Sequence, residues 1–458
     1  MKDSGDFFIG HFGDSRRQAV GAKVCERVIT TGSLVLTRVG GNRNGEESIR
    51  NFLGSRHVTP EEIVKSAAKR TAGACAGRRI VVPQDTTEIN FSGRSSGRRG
   101  LGPAGDGKTP GFFCHAAVAV DADEEALLGV VHARIWTRRG KTSVHRKSQE
   151  IEDKESFRWL ETTAAAGDLL RHAAQVIVVG DREFDIYCQF VRRPARVELI
   201  VRAAQNRRLA GDEYLFEAPS DWREFGTMEV RVPPLRPGES GRIACVSVKA
   251  GHVCIARPRL AANRDDPATV TLTYVEVSET TKPPKGHKPI VWRLLTTLPV
   301  VGEPDEFAAA KEIVQFYRLR WRIEQVFRAM KSDGLKLEDT QVKDASRLFN
   351  LTAIALIAAA RTIQLVDARD GSPRPASDVA DEDVIAAAEV IGPTLEGNTA
   401  RQKNPHPPRS LAWLSWIIAR LGGWNCYYKP PGPKIMRIGW NQLAAMGRYA
   451  AARAQQNV

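Results

Sequence analysis

Two stretches constrain the fold of this chain more than any others: "RRIVVPQDTT" and "QVIVVGDRE". Each is a short apolar run rich in β-branched residues that ends in an acid, Asp85 in the first and Asp181 in the second. Runs of that length read as buried strands. Their neighbours continue the pattern. "FFCHAAVAVD" and "ALLGVVHARIW" read as antiparallel strands joined by the acidic turn "DADEE", and "DKESFRWLETTAAAGDLLRHA" as an amphipathic helix. "REFDIYCQFVRR" reads as a short helix and "VELIVRA" as a further strand. The order β-β-β-α-β-α-β predicts an α/β layered core with an antiparallel edge. Ligands of such sheets gather at the carboxyl ends of strands, where Asp85 and Asp181 fall.

The flanks differ. The first 75 residues read as short helices, with Asp14 capping "SRRQAVGAKVCERVITT" and Thr59-Pro60-Glu61-Glu62 opening another as a capping box with proline at the first helical position. From about 205 to 300 helical periodicity gives way to β-rich segments divided by Pro- and Gly-containing turns. A long helix is predicted over 305–331, then a helical C-terminal region broken by "EGNTARQKNPHPPRS". The expected division is a helical unit at 1–70, a core at 71–365 interrupted at about 205–300, and a helical region at 366–458. The most apolar run, "LTAIALIAAA", stops at Arg361, short of the roughly 20 residues a bilayer needs, so it reads as a core helix. No secretory leader is recognisable, and the seven cysteines contain no CxxC pair, which points to reduced thiols in the cytoplasm.

The formal net charge of +14 is the footprint of a polyanion partner. It is clustered. Arg94, Arg98, Arg99 and Lys108 share one loop; Arg138, Arg139, Lys141, Arg146 and Lys147 follow a strand. The first loop contains "GPAGDGKT", a full match to the Walker A pattern. That pattern cradles phosphate only where a helix follows it. Here Pro110 and Gly111 follow, and then a strand-like run, so no nucleotide cofactor is expected.

A third carboxylate completes a constellation. In "YRLRWRIEQVFRAMK", Tyr317, Arg320, Glu324 and Lys331 fall within a sector of about 60°, at about 100° per residue. Phe316, Leu319, Ile323, Val326, Phe327 and Met330 form a separate apolar sector. Two aspartates and a glutamate beside a phenol and two cations suit two-metal phosphodiester chemistry. His115 and His132 lack metal-ligand spacing and read as core histidines.

The spacing Tyr317-x2-Arg320-x3-Glu324-x6-Lys331 resembles the YREK signature of DDE transposases of the insertion-sequence-four type. "PQDTTEINFSG" and "VGDREFDIY" are similar to that family's first- and second-aspartate motifs. "GDSRR", "DKESFRWL" and "IARLGGW" extend the likeness along nearly the whole chain, most closely to the relatives of the transposon-five transposase. The resemblance implies an RNase H-like catalytic core with a β-strand insertion and helical flanks that bind DNA ends and dimerise. It implies Mg²⁺ (Mn²⁺ substituting), two ions per site, held by Asp85, Asp181 and Glu324. It further implies cut-and-paste transposition: nicking, hairpin formation and opening, and joining to target DNA. Its partners would be double-stranded DNA and a second copy of the chain assembled on that DNA, with no membrane. Trp292 matches the tryptophan that stacks on a flipped base, Trp321 is a candidate wedge, and Arg202 matches a DNA-contacting arginine; Arg98, Arg99 and Lys108 would meet phosphate. The N-terminal unit is slightly shorter than in the best-known relative, which leaves its recognition residues unassigned. Rival readings are an RNase H-like nuclease that cleaves without joining, and a catalytically inactive DNA-binding descendant.

Overall fold

The computed structural model describes residues 12–91, 98–138, 149–211, 213–232, 241–259, 265–332 and 334–456. Arg94, Arg139, Lys141, Arg146 and Lys147 of the basic loops lie outside them. Four helices come first: α1 (Ser15–Thr31), α2 (Leu36–Gly40), α3 (Arg43–Leu53) and α4 (Pro60–Cys75). Asp14 caps α1 by accepting from the Arg16 N–H, and Thr59 caps α4 by accepting from the Glu62 N–H. Then follow β1 (Arg79–Asn90), β2 (Gly102–Pro103), β3 (Pro110–Asp121), β4 (Leu127–Trp136), α5 (Phe157–Leu169), β5 (Gln175–Gly180), α6 (Tyr187–Val191) and β6 (Val197–Arg202). The β-rich segment supplies β7 (Glu224–Val232), β8 (Arg242–Ala256), β9 (Thr269–Glu279) and β10 (Val291–Thr296). The chain ends in α7 (Glu306–Leu319), α8 (Trp321–Lys331), α9 (Ala345–Ala368), α10 (Glu382–Leu395), α11 (Leu411–Leu421) and α12 (Pro433–Gln456).

All ten strands join one mixed sheet in the order β2-β3-β1-β5-β6-β10-β9-β8-β7, with β4 also paired to β3. Only β1–β5 and β5–β6 are parallel. Side chains along the central strands alternate between the two faces of the sheet with the two-residue period of a pleated strand. Ile80 and Val82 of β1 pack with Trp159, Ala166 and Leu170 around α5, whereas Val81 packs with Ile313, Phe316 and Ile323 from α7 and α8. Helices therefore cover both faces, which is why the strands read as unbroken apolar runs. This mixed α/β sheet with helical layers is consistent with an RNase H-like domain.

Two expectations, on β1 and on the helix over 305–331, need correction. β1 does not stop at Asp85; it continues to Asn90 because Asp85 to Asn90 pair with β3. What ends near Asp85 is the parallel pairing, at Pro83 opposite Val179. The single helix expected over 305–331 is two, α7 and α8, meeting at Arg320. Residues 70 and 365, the expected edges of the core, lie within α4 and α9. α9 is long and apolar enough to cross a membrane by length and composition, yet 83% of its most apolar window is buried in the fold. No disulfide joins any of the seven cysteines.

The Walker-like stretch forms a turn between β2 and β3. Asp106 accepts from the N–H groups of Lys108 and Thr109, at 2.9 and 2.8 Å. A strand follows where the pattern requires a helix.

Candidate active site

Strand parity decides which way the two aspartates point. Asp85 shares a face with Val81, and Asp181 with Ile177 and Val179, so both face α7 and α8. The register aligns Pro83 with Val179, so each aspartate lies two residues beyond the same rung. Gly180 makes the turn at Asp181 possible: a Cβ there would sit 2.5 Å from the Phe184 ring, which closes over the strand end.

Arg320, at the α7–α8 junction, reaches into this corner and touches all three acids. Its Nη1 is 2.9 Å from Glu324 Oε1 and 3.6 Å from Asp85 Oδ2; its Nη2 is 3.8 Å from Asp181 Oδ2. Only 8% of Arg320 is exposed, too little for a solvated arginine. Burial opposes its charge, but Tyr317, Asp181, Glu324 and Asp85 outweigh that and hold its pKa above the ordinary value. Asp85 goes the other way. Burial pushes its carboxyl up to about 6, against the Thr86 N–H (2.7 Å) and Arg320, both of which favour the charged form.

Around the acids stand the other residues singled out from sequence. The Tyr317 hydroxyl is 3.4 Å from Asp181 Oδ1, and burial with the nearby Asp181 charge raises its pKa to about 12. Arg202 ends β6 with Nη1 3.6 Å from Asp181 and Nη2 bonded to the Val291 carbonyl. Trp292 of β10 packs edge-on against Tyr317, centroids 5.4 Å apart, half-buried. Trp321 is 38% exposed beside Arg320. Lys331 is committed to protein partners: its Nζ bonds the Glu88 carbonyl at 2.6 Å and pairs with Glu338 at 3.1 Å.

The basic loop divides. Arg98 lies over the Phe91 ring and bonds the Thr340 carbonyl, so it anchors the loop. Arg99 is exposed, its backbone bridging to Lys343 and Ala345. A cleft of about 740 Å³ there is lined by Arg50, Arg98, Arg99, Lys343 and Arg347 against Asp339 and Asp344. Lys108 is exposed on the β2–β3 turn and is not among the lining residues of that cleft.

Could the acids hold a metal? Three carboxylates are a donor set for a hard cation, Asp85 is buried beyond what its neighbours offset, and a cation, the Arg320 guanidinium, already lies among them. Among the described residues, however, no three acids, histidines or cysteines converge closely enough to ligate an ion; Arg320 stands between them instead. The chemistry of the site fits a divalent ion once Arg320 is out of the way. His115 and His132 are bonded within the core, to Thr86 and Gln84 and to Thr162 respectively.

Sequence reasoning did not find Arg158, which contacts both aspartate motifs from α5. Its signal was the motif "DKESFRWL" itself, where an arginine sits beside a buried tryptophan.

The family model described as the transposase DDE domain matches residues 114–361, from β3 through most of α9. The match covers more than half of the chain and includes Asp181 and Glu324. With that match lying over a sheet-and-helix corner where acids converge, the chain belongs to the transposase DDE-domain family.

Proposed function

We propose that this transposase is of the insertion-sequence-four type and performs cut-and-paste transposition on the terminal repeats of its own element. The observation that carries the reading is the convergence of Asp85, Asp181 and Glu324 on one guanidinium, flanked by Tyr317, Arg202 and Trp292. Asp85, Asp181 and Glu324 hold Mg²⁺ or Mn²⁺, two ions per site. When bound, such ions activate an attacking oxygen and stabilise a leaving one in phosphodiester exchange.

The chain's own groups supply the rest. Arg320 keeps its charge under all conditions, so on leaving the acids it holds a phosphate oxygen of the cut end. Tyr317, with its pKa near 12, stays protonated and acts as a hydrogen-bond donor, never as a base. Trp292 and the exposed Trp321 offer ring faces to bases displaced at the end, Trp292 after parting from Tyr317. Arg202, Arg99 and Lys108 meet backbone phosphates, and Arg98 holds the loop in place for them. Residues 1–70 bind the end, 366–458 mediate dimerisation on DNA, and the strands of about 205–300 are the insertion. Neither a nucleotide cofactor nor a membrane takes part.

The test is a time course on DNA carrying the inverted repeats that flank the coding sequence, labelled on both strands, with Mg²⁺ and target DNA. Nick, hairpin and joined product in that order are expected. Cleavage without joined product would reduce the protein to a nuclease, and binding without cleavage to an inactive descendant.

A further inference from the structure

The ladder between β1 and β5 ends at Pro83 opposite Val179, two residues before either aspartate. Backbone pairing between these strands therefore does not set how far apart Asp85 and Asp181 stand. One side chain spans that gap from the other face of the sheet. Arg158, near the start of α5 and 8% exposed, donates from Nε to Thr86 Oγ1 at 3.1 Å and from Nη2 to Glu183 Oε2 at 2.9 Å. Thr86 is next to Asp85, and its N–H holds Asp85 Oδ1 at 2.7 Å. Glu183 sits in the tight turn that begins at Asp181, where the Phe184 N–H bonds the Asp181 carbonyl. The third branch, Nη1, bonds the Glu155 carbonyl at 2.9 Å, and the guanidinium lies about equally between the Trp136 and Trp159 rings, 5.4 Å from each.

A buried chain runs beneath Asp85, its polarity set by the Trp159 carbonyl at its far end and by a neutral His115. The Thr86 hydroxyl accepts from Arg158 and donates to His115 Nδ1 (2.9 Å). His115 then donates from Nε2 to Gln84 Oε1 (3.1 Å), and Gln84 from Nε2 to Thr163 (3.0 Å). A neutral His115 is what its complete burial requires. Gln189 also donates to Thr163, at 2.7 Å, and the chain ends on the α5 backbone at the Trp159 carbonyl. Connected polar chains of this kind rigidify the part of a core they thread.

We propose that Arg158 is a positioning residue that fixes the separation of Asp85 and Asp181 by clamping Thr86 and Glu183 at once. The proposal rests on the reading that these aspartates bind divalent metal. Outer-shell partners of that kind govern metal affinity without touching the ion.

The experiment is Mn²⁺ titration of the full chain followed by electron paramagnetic resonance, with a thermal melt of each variant. Arg158→Gln is expected to bind Mn²⁺ roughly 10- to 100-fold more weakly than wild type. Arg158→Lys should be nearly as weak, because an ammonium cannot bond both arms. Glu183→Gln, altered at a side chain 71% exposed, should melt like wild type yet bind Mn²⁺ less tightly, and the double variant should be no weaker than Arg158→Gln alone. A folded Arg158→Gln with wild-type Mn²⁺ affinity would overturn the proposal. If that variant does not fold, unchanged affinity in Glu183→Gln would overturn it. Failure of the metal reading looks different: wild type would bind no Mn²⁺, or Asp181→Asn would bind as well as wild type.

Discussion

Asp85 is held against its own charge. Its folded pKa of about 6, against 3.8 for the free side chain, means that the folded state binds a proton more tightly than the unfolded one across that window. Stability in the absence of metal is therefore greatest at the acid end of the window and falls as pH rises from about 4 to above 6. At about 1.4 kcal/mol per unit the loss is on the order of 1–3 kcal/mol. Asp85→Asn should remove this slope, raise metal-free stability at pH 7.5 and abolish end cleavage; thermal melts at pH 5 and 7.5 beside a cleavage assay measure all three. A variant less stable than wild type at pH 7.5 contradicts the sign. Arg320→Gln should tighten Mn²⁺ binding by removing the competing cation, with titration as the readout, while lowering affinity for nicked ends. The sequence singled out Asp85, Asp181 and Glu324 because residues at strand ends and on one helix face can be named from spacing. It could not say where Arg320 points. Angular position tells which residues share a face, not whether that face meets solvent or three carboxylates, and Tyr317 and Arg320 are in fact buried.

Among the elements that carry the acids, the turn after β5 is sensitive to a single methyl group. Gly180→Ala drives a Cβ to 2.5 Å from the Phe184 ring, so either that ring or the Asp181 turn must shift. Overpacking of this kind costs about 1–3 kcal/mol. Cleavage should fall more than stability, read as end-nicking rate against melting temperature. Trp292 separates two roles in the same way. If it only packs against Tyr317, Trp292→Ala lowers stability by about 3–5 kcal/mol and every step fails together. If it holds a flipped base, worth roughly 1–3 kcal/mol, the variant stays folded and nicks, but hairpin accumulates slowly. A time course on labelled ends decides, and normal hairpin yield from a folded variant removes the stacking role. The β2–β3 turn was legible from sequence because Pro110 and the apolar run of β3 are local signals. The break between α7 and α8 was not, since nothing in the apolar periodicity changes at Arg320.

Across the whole molecule, the helical ends are parts of one core. α1 packs on α9 and α12, α3 and α4 pack on α9, and α4 also lies along β4. The buried Asn350 of α9 donates to the Leu53 and Val58 carbonyls at 2.9 Å each, which ties the α3–α4 connection to the catalytic domain. One apolar cluster runs from Phe12 and Leu53 through Val81 and Ile323 to Trp440. The boundaries at 70 and 365 could not be placed better from sequence, because contacts between segments hundreds of residues apart leave no local mark. The proposed division of labour among regions concerns their contacts with DNA and with a second copy, on one shared core. The measurement that bears most directly on the function is end cleavage in Mg²⁺ by wild type and by Asp85→Ala, Asp181→Ala and Glu324→Ala, with DNA binding measured on the same samples. Because affinity for DNA comes mainly from lysine and arginine, each variant should bind the terminal repeats much as wild type does and produce no nick. Robust nicking by any one of them in Mg²⁺ would take that carboxylate out of the site and contradict a three-acid centre.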